Sequence, residues 1–313
     1  MSEKKRILII GSSNMDLSMN VYKLPEAGMT VIDDGGVAYT PGGKGANAAM
    51  ALKKVGQDVV FATKLGHDVH GQRLFEYYKD AGINTSAIKV DHDFPTGLAV
   101  VIKERDGSNR IVVYPGANGN LTTENEIDAF KCEPDAVYLG FEIPFSVALT
   151  AAKVASVKGI PIFIDAAPAS REHPLDTLPE VEIFSPNETE CEIYTGIKPE
   201  GIESSLRAAL NLYKMVKAKY IVIKQGARGA FIYDGKHYDT MPAYRADKVV
   251  DTTAAGDAFT AALTAEYLRT GGDIKASVRY ANAAGAIAVS RLGASSSVPT
   301  DAEIRELLEK HGR

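Results

Sequence analysis

Along the chain, short runs of consecutive apolar residues alternate with longer stretches whose apolar positions recur at helical spacing. Arg6-Ile7-Leu8-Ile9-Ile10, closed by Gly11, is the continuous apolar run expected of a strand buried on both faces. Val59 to Ala62, Ala136 to Leu139, Ile160 to Ile164, Val181 to Phe184 and Tyr220 to Ile223 repeat the theme. Between them lie predicted helices: Ala46 to Val55, Val69 to Ala81 and Phe145 to Lys158, stopped by Gly56, Gly82 and Gly159. Strand–helix–strand repetition predicts an α/β fold of three layers, a doubly wound and mainly parallel sheet between helices. The C-terminal third reads as helices over Ala254 to Leu268, Ile274 to Arg291 and Ala302 to Lys310, after a β-rich stretch from Ala230 to Tyr244.

Two stretches depart from this rhythm. Leu17 to Tyr39 reads as two alternating strands around Pro25 and Gly28, and Gly97 to Tyr114 as a hairpin turning at Asp106-Gly107-Ser108-Asn109. Strands without intervening helices do not belong in a parallel core. They predict a small antiparallel sheet, over approximately 15–40 and 95–115, inserted in a single domain of residues 1–313 and serving as a lid.

Composition narrows the classes. The 313 residues carry a formal net charge of −5, which argues against a nucleic-acid-binding face. No apolar run approaches the ~18 residues of a membrane span, and Ile7 to Ile10 is too short for a signal-peptide core. Cys132 and Cys191 form no C-x-x-C, so neither a disulfide framework nor a cysteine zinc site is expected. The N-x-S/T segments at Asn84, Asn120 and Asn187 are chance matches without export. These features together predict a cytoplasmic protein.

The Gly residues cluster where chemistry can occur. In Asp251-Thr252-Thr253-Ala254-Ala255-Gly256-Asp257, small residues open a helix whose free N–H groups suit a phosphoryl group in flight, with Asp257 placed to accept a hydroxyl proton. A lone first-turn Asp is more often a mere helix-dipole partner. Pro41-Gly42-Gly43-Lys44-Gly45-Ala46-Asn47 again exposes backbone N–H groups before a helix. A Walker A loop fails here, because Ala38 and Gly45 stand where Gly and Ser/Thr are required. Gly43-x-Gly45-x-x-Ala48 fits a dinucleotide fingerprint formally but does not follow the first strand. Asn14-Met15-Asp16, just past the first strand, offers an amide and a carboxylate to sugar hydroxyls or forms a plain turn. Asn187 and Glu190 open a helix, as capping residues or beside a hydrated Mg²⁺, and Lys224 to Gly229 forms a Gly-rich turn under a nucleotide or an ordinary one. His67 and His70 lack further ligands for a metal site, and Tyr77-Tyr78 reads as packing.

With these motifs in this order, the chain resembles the ribokinase family of sugar kinases, also called the PfkB family, from Gly11 to Pro299. The resemblance implies ATP-dependent phosphorylation of D-ribose at O5. It implies Asp257 as base and an anion hole from Ala254, Ala255 and Gly256. Asn14, Asp16, Gly42, Gly43, Lys44, Asn47 and Glu142 would bind the sugar. Asn187, Lys224, Gln225, Gly226, Ala227, Arg228, Gly229, Gly256 and Asn282 would line the ATP site, and Glu190 would support Mg²⁺ through water. It further implies K⁺ at Asp251, Thr253, Ala288, Arg291, Gly293 and Ser297, several through backbone carbonyls, and a homodimer through the lid. Two positions depart from the expected pattern, and a third narrows the match within the family. Asn282 stands where some members have His, Lys224 replaces a Thr-like residue, and Ala254 stands where many have Gly. A kinase of another small sugar or nucleoside (deoxyribose, fructose, adenosine) is the alternative. An NAD-dependent oxidoreductase would need its Gly fingerprint on the first strand, and a non-catalytic sugar binder would not need Asp257.

Overall fold

The computed structural model describes residues 4–32, 35–104, 109–246 and 248–311. In chain order the first half contains β1 (Arg6–Ile10), β2 (Asn14–Val21), β3 (Val37–Gly42), α1 (Lys44–Lys54), β4 (Asp58–Ala62) and β5 (Lys64–Gly66). There follow α2 (Val69–Asp80), β6 (Lys89–Asp91), β7 (Gly97–Glu104), β8 (Asn109–Tyr114) and α3 (Thr123–Ala129). The middle holds β9 (Ala136–Leu139), α4 (Phe145–Val157), β10 (Ile162–Asp165), β11 (Val181–Ser185), α5 (Glu188–Thr195) and α6 (Ile202–Met215). The last part holds β12 (Ala218–Lys224), β13 (Ala230–Tyr233), β14 (Tyr238–Met241), α7 (Ala255–Arg269), α8 (Ile274–Ala288) and α9 (Asp301–His311).

The large sheet has the order β14-β13-β12-β11-β10-β9-β1-β4. It is parallel from β4 to β12, and β13 and β14 add an antiparallel edge. Ile7 and Ile9 of β1 belong to a core beneath α1, α7 and α8, whereas Leu8 and Ile10 belong to a second core beneath α4 and α6. Successive side chains of a strand point to opposite faces, so a strand covered on both faces must be apolar throughout. That is why β1 reads as an unbroken run. α1 begins at Lys44 rather than Ala46, and α8 ends at Ala288 rather than Arg291. Gly56, Gly82 and Gly159 lie just past their helices at positive φ, as the stop signals require.

The small sheet has the order β3-β2-β7-β8. Both hairpin pairs are antiparallel, but the central pair, β2 with β7, is parallel. The sheet is therefore mixed, which corrects the purely antiparallel expectation. Asn14 and Gly97 are register partners at one end, so both strands leave the large domain from one place and in one direction. Each then returns as an antiparallel neighbour. Asp106-Gly107-Ser108 of the expected turn lies outside the described residues. The pairing of Lys103 with Asn109 flanks that turn as a hairpin does. β5 and β6 form a two-stranded parallel sheet that the hydrophobic pattern did not indicate. Among the described residues, no helix is long and apolar enough to cross a membrane.

Candidate active site

Chemistry-bearing residues gather where the parallel strands end. Asn14 follows β1, Glu142 follows β9, Asp165 closes β10, Asn187 follows β11 and Lys224 closes β12. The sheet reverses its winding between β1 and β9, because β4 flanks β1 on one side and the later strands extend from the other. The carboxyl ends of strands at such a reversal leave a crevice suited to ligands.

α7 starts in that crevice without a cap. Ala254 precedes it at φ +59°, in the left-handed region, and no side chain caps the helix. A non-Gly residue there is strained, and the first helical N–H groups are left without a side-chain partner. Of the expected amides, that of Ala255 is already engaged, donating to the Thr252 carbonyl at 3.3 Å. Ala255 and Gly256 face a cavity of about 840 Å³ that also meets Asn187, Lys224, Gly226, Gly229 and Asn282.

Asp257 sits in the same first turn and is buried. One carboxylate oxygen accepts a 2.8 Å hydrogen bond from Asn47 Nδ2, and the other lies 3.8 Å from Lys44 Nζ. Burial raises its pKa and the nearby Asp165 adds to this, while Lys44 and Asn47 oppose. Asp257 in turn holds the Lys44 ammonium above its ordinary pKa against the effect of burial. The Asn47 side-chain oxygen is buried without a partner, which leaves an acceptor free for a hydroxyl.

The other expected sugar-binding residues surround this pair. Glu142 accepts from the Lys44 N–H at 3.0 Å and from the Ser12 hydroxyl. Asn14 Oδ1 accepts from Asn118 Nδ2 at 2.8 Å. Asn118 also bonds the backbone N–H and carbonyl of Ser13, so it fixes the exit from β1. Sequence reasoning missed it, because Asn in Gly116-Ala117-Asn118-Gly119 reads as a turn residue. A Cβ on Gly42 would lie 2.1–2.2 Å from all three carboxylate atoms of Asp16, so any side chain there would have to displace that carboxylate. Burial, with help from Glu142 and Asp257, pushes the Asp16 carboxyl up to about 7. Gly43 takes φ +91° with its missing Cβ aimed into the Ser12–Asn14 backbone, and Gly45 packs on Gly11.

The nucleotide side departs from several expectations. Asn187 and Glu190 form a reciprocal cap on α5: Asn187 N–H donates to Glu190 at 2.7 Å, and Glu190 N–H donates back at 2.8 Å. Burial raises the Glu190 carboxyl, and Lys224 opposes that shift. Lys224 does not face solvent. It is buried with Nζ 2.8 Å from Asp165 Oδ2 and 3.2 Å from the Thr260 hydroxyl. Asp165, which the motifs did not indicate, keeps its other oxygen buried and unpartnered. Gln225 turns away from the cavity toward the Ser205 hydroxyl at 2.7 Å, and Arg228 pairs with Glu188. Neither lines the cavity, contrary to expectation, while Gly226, Ala227 and Gly229 do. Asn282 lines it, with its amide committed to the carbonyls of Met241 and Pro242 at 3.1 Å.

A hydrated Mg²⁺ fits this donor set, since Asp165 offers an unpartnered buried carboxylate oxygen and lies near enough to Glu190 for its charge to raise that carboxyl. The residues expected to hold K⁺ converge on Asp251, which accepts from the Gly293 N–H at 3.3 Å and from the Thr253 N–H and hydroxyl. The anionic donor Asp251 already carries an ammonium, Lys103 Nζ at 3.1 Å. Lys103 therefore stands where the ring's anionic donor would meet a free monovalent cation. Burial opposes ionisation of Asp251, but bonds from Thr253 and Lys103 hold its carboxyl below the ordinary value.

Comparison with known proteins identifies the family. A family model described as pfkB family carbohydrate kinase matches residues 4–301. The ribokinase of Bacillus subtilis is 34% identical over 308 residues, 97% of this chain and 99% of that protein. A deoxyribokinase of Salmonella typhimurium is 30% identical over 306 residues, 96% of this chain and 98% of that one. A bifunctional ribokinase/ribose-5-phosphate isomerase A of Fructilactobacillus sanfranciscensis is 33% identical over 98% of this chain, which spans 56% of that longer protein. The structure of Arabidopsis thaliana ribokinase complexed with ribose and ATP superposes with a TM-score of 0.88 at 30% identity, covering 98% of this chain and 99% of that one. The chain thus belongs to the pfkB family of carbohydrate kinases and is an ATP-dependent sugar kinase.

Proposed function

We propose that the sugar is D-ribose and that the phosphoryl group is transferred to its O5, with Asp257 as the base. The observation that carries this reading is the position of Asp257. It stands in the first turn of α7, between the cavity faced by Ala255 and Gly256 and the polar group of Asn47, Lys44 and Glu142. A carboxylate raised by burial is a better proton acceptor from a hydroxyl, and Lys44 keeps it ionised enough to act.

The chain's own residues divide the work. Asn14, Asp16, Asn47 and Glu142 orient hydroxyls by hydrogen bonding. The uncapped start of α7 meets the charge that develops on the transferring group. Asp165 and Glu190 would hold Mg²⁺ through water, and its chemistry there is to neutralise phosphate charge. The lid sheet excludes water, which would otherwise compete with the sugar for the phosphoryl group. Exposed Val37, Tyr39, Val112 and Tyr114 on the lid strands suit burial against a second copy's lid. Light scattering should therefore read a dimer, and a monomer at working concentration would refute that part.

The deciding experiment is a coupled ADP-release assay over ribose, deoxyribose, fructose and nucleosides. Ribose should give the highest kcat/KM. Preference for another acceptor by tenfold or more would overturn the ribose assignment.

A further inference from the structure

The loop that precedes the anion hole is organised by one carboxylate. Asp251 Oδ1 accepts from the Thr253 N–H at 2.9 Å and the Thr253 hydroxyl at 2.5 Å. Oδ2 accepts from the Gly293 N–H at 3.3 Å. Asp251 thus ties the start of the 251–256 turn to the segment that follows α8. Its side chain is 8% exposed, and a carboxylate so placed needs an opposing charge. That charge is Lys103 Nζ, 3.1 Å from Oδ2, from a residue 148 positions away.

Lys103 lies near the outer end of β7, in the lid sheet, and its side chain is 29% exposed. The contact therefore spans two parts of the molecule, the lid and the loop that opens α7. We propose that Lys103 supplies the cation of the Asp251 loop from the lid, in place of a free alkali ion. An ion coordinated by Oδ2 would have to displace the ammonium that already occupies it. The charge arrives with the lid, so lid docking and ordering of the anion hole are a single event. Lys103 is a positioning residue in this scheme: it acts through Asp251 and touches no substrate.

The test compares Lys103→Met and Lys103→Arg with the parent chain in potassium chloride and in tetramethylammonium chloride of equal ionic strength. Two readouts are taken: the melting temperature without substrates, and kcat with KM for sugar and ATP. The parent and Lys103→Arg should melt and turn over alike in both salts. Lys103→Met should lose roughly tenfold in kcat in tetramethylammonium, the scale of one charge-assisted contact. Potassium should restore much of that loss and raise the melting temperature of Lys103→Met alone. Lys103→Gln repeats the test if Lys103→Met does not fold. A parent chain activated and stabilised by potassium overturns the proposal. So does a Lys103→Met that matches the parent in both salts, or one whose loss potassium leaves untouched. The melting arm needs no turnover, so it decides this point even if the ribose and Asp257 assignments fail.

Discussion

Gly42 offers a sharp test of how the sugar side is built. Replacing it with Ala puts a Cβ 2.1–2.2 Å from Oδ1, Oδ2 and Cγ of Asp16, far inside ordinary contact distance. Gly42 lacks the positive φ of Gly43, so Ala can adopt its backbone conformation and the conflict is confined to that carboxylate. The Asp16 side chain must swing away. A hydrogen bond to a charged group contributes about 1.5–3 kcal/mol, so losing one bond to a hydroxyl should raise KM for the sugar roughly 10- to 150-fold. KM for ATP should hardly change, because Asp16 does not line the nucleotide cavity. Steady-state kinetics by coupled ADP release reads both constants, and a melting curve confirms folding. In an Asp16→Ala background, Gly42→Ala should add little, since the group it displaces is gone. A folded Gly42→Ala enzyme with an unchanged sugar KM would refute the assignment of Asp16.

Three further outcomes follow from the same geometry. Asp257→Asn should lower kcat by about 10²- to 10⁴-fold while titration calorimetry still detects sugar binding, because the amide keeps a hydrogen bond but takes no proton; undiminished turnover would remove Asp257 as the base. The Asp16 carboxyl at about 7 should make sugar binding pH-dependent, since hydroxyls donate better to the ionised form, so KM for the sugar should fall from pH 6 to 8. The sign for stability is the reverse: a raised acid binds more protons when folded, so this group's contribution declines as pH rises from its unfolded value near 4 toward 7, and a flat sugar KM across pH 6 to 8 would contradict the site. Lys224→Met leaves the buried Asp165 without its counter-charge and should cost about 3–5 kcal/mol in urea unfolding, with Asp165→Asn in the same chain recovering part of it; a loss under 1 kcal/mol would show that Asp165 finds another partner.

What the sequence determined by itself is what local physics encodes. β1 is legible because a strand between two helical layers has no polar face to show. The ends of α1, α2 and α4 are legible because a Gly at positive φ stops a helix wherever the helix packs. The turns Gly42 to Asn47 and Asp251 to Asp257 are legible because runs of small residues before a helix are a property of a few consecutive positions, but at the first turn the expected free N–H groups of Lys44, Gly45 and Ala46 are taken by Glu142 and Ser12. Only the tertiary structure decided which distant groups meet. Asn118 fixes Asn14 across 104 residues, Asp165 pairs with Lys224 across 59, and Lys103 reaches Asp251 across 148. One member of each pair carries no local signature, since an Asn in a turn, an Asp at a strand end and a Lys on a strand of the small sheet are all ordinary. Gln225 and Arg228 show the converse. They sit in a Gly-rich turn that meets the cavity, yet their side chains find Ser205 and Glu188 instead. The parallel pairing of β2 with β7 was likewise hidden, because strand direction depends on where each strand leaves the large domain and hydrophobic alternation is the same for both directions.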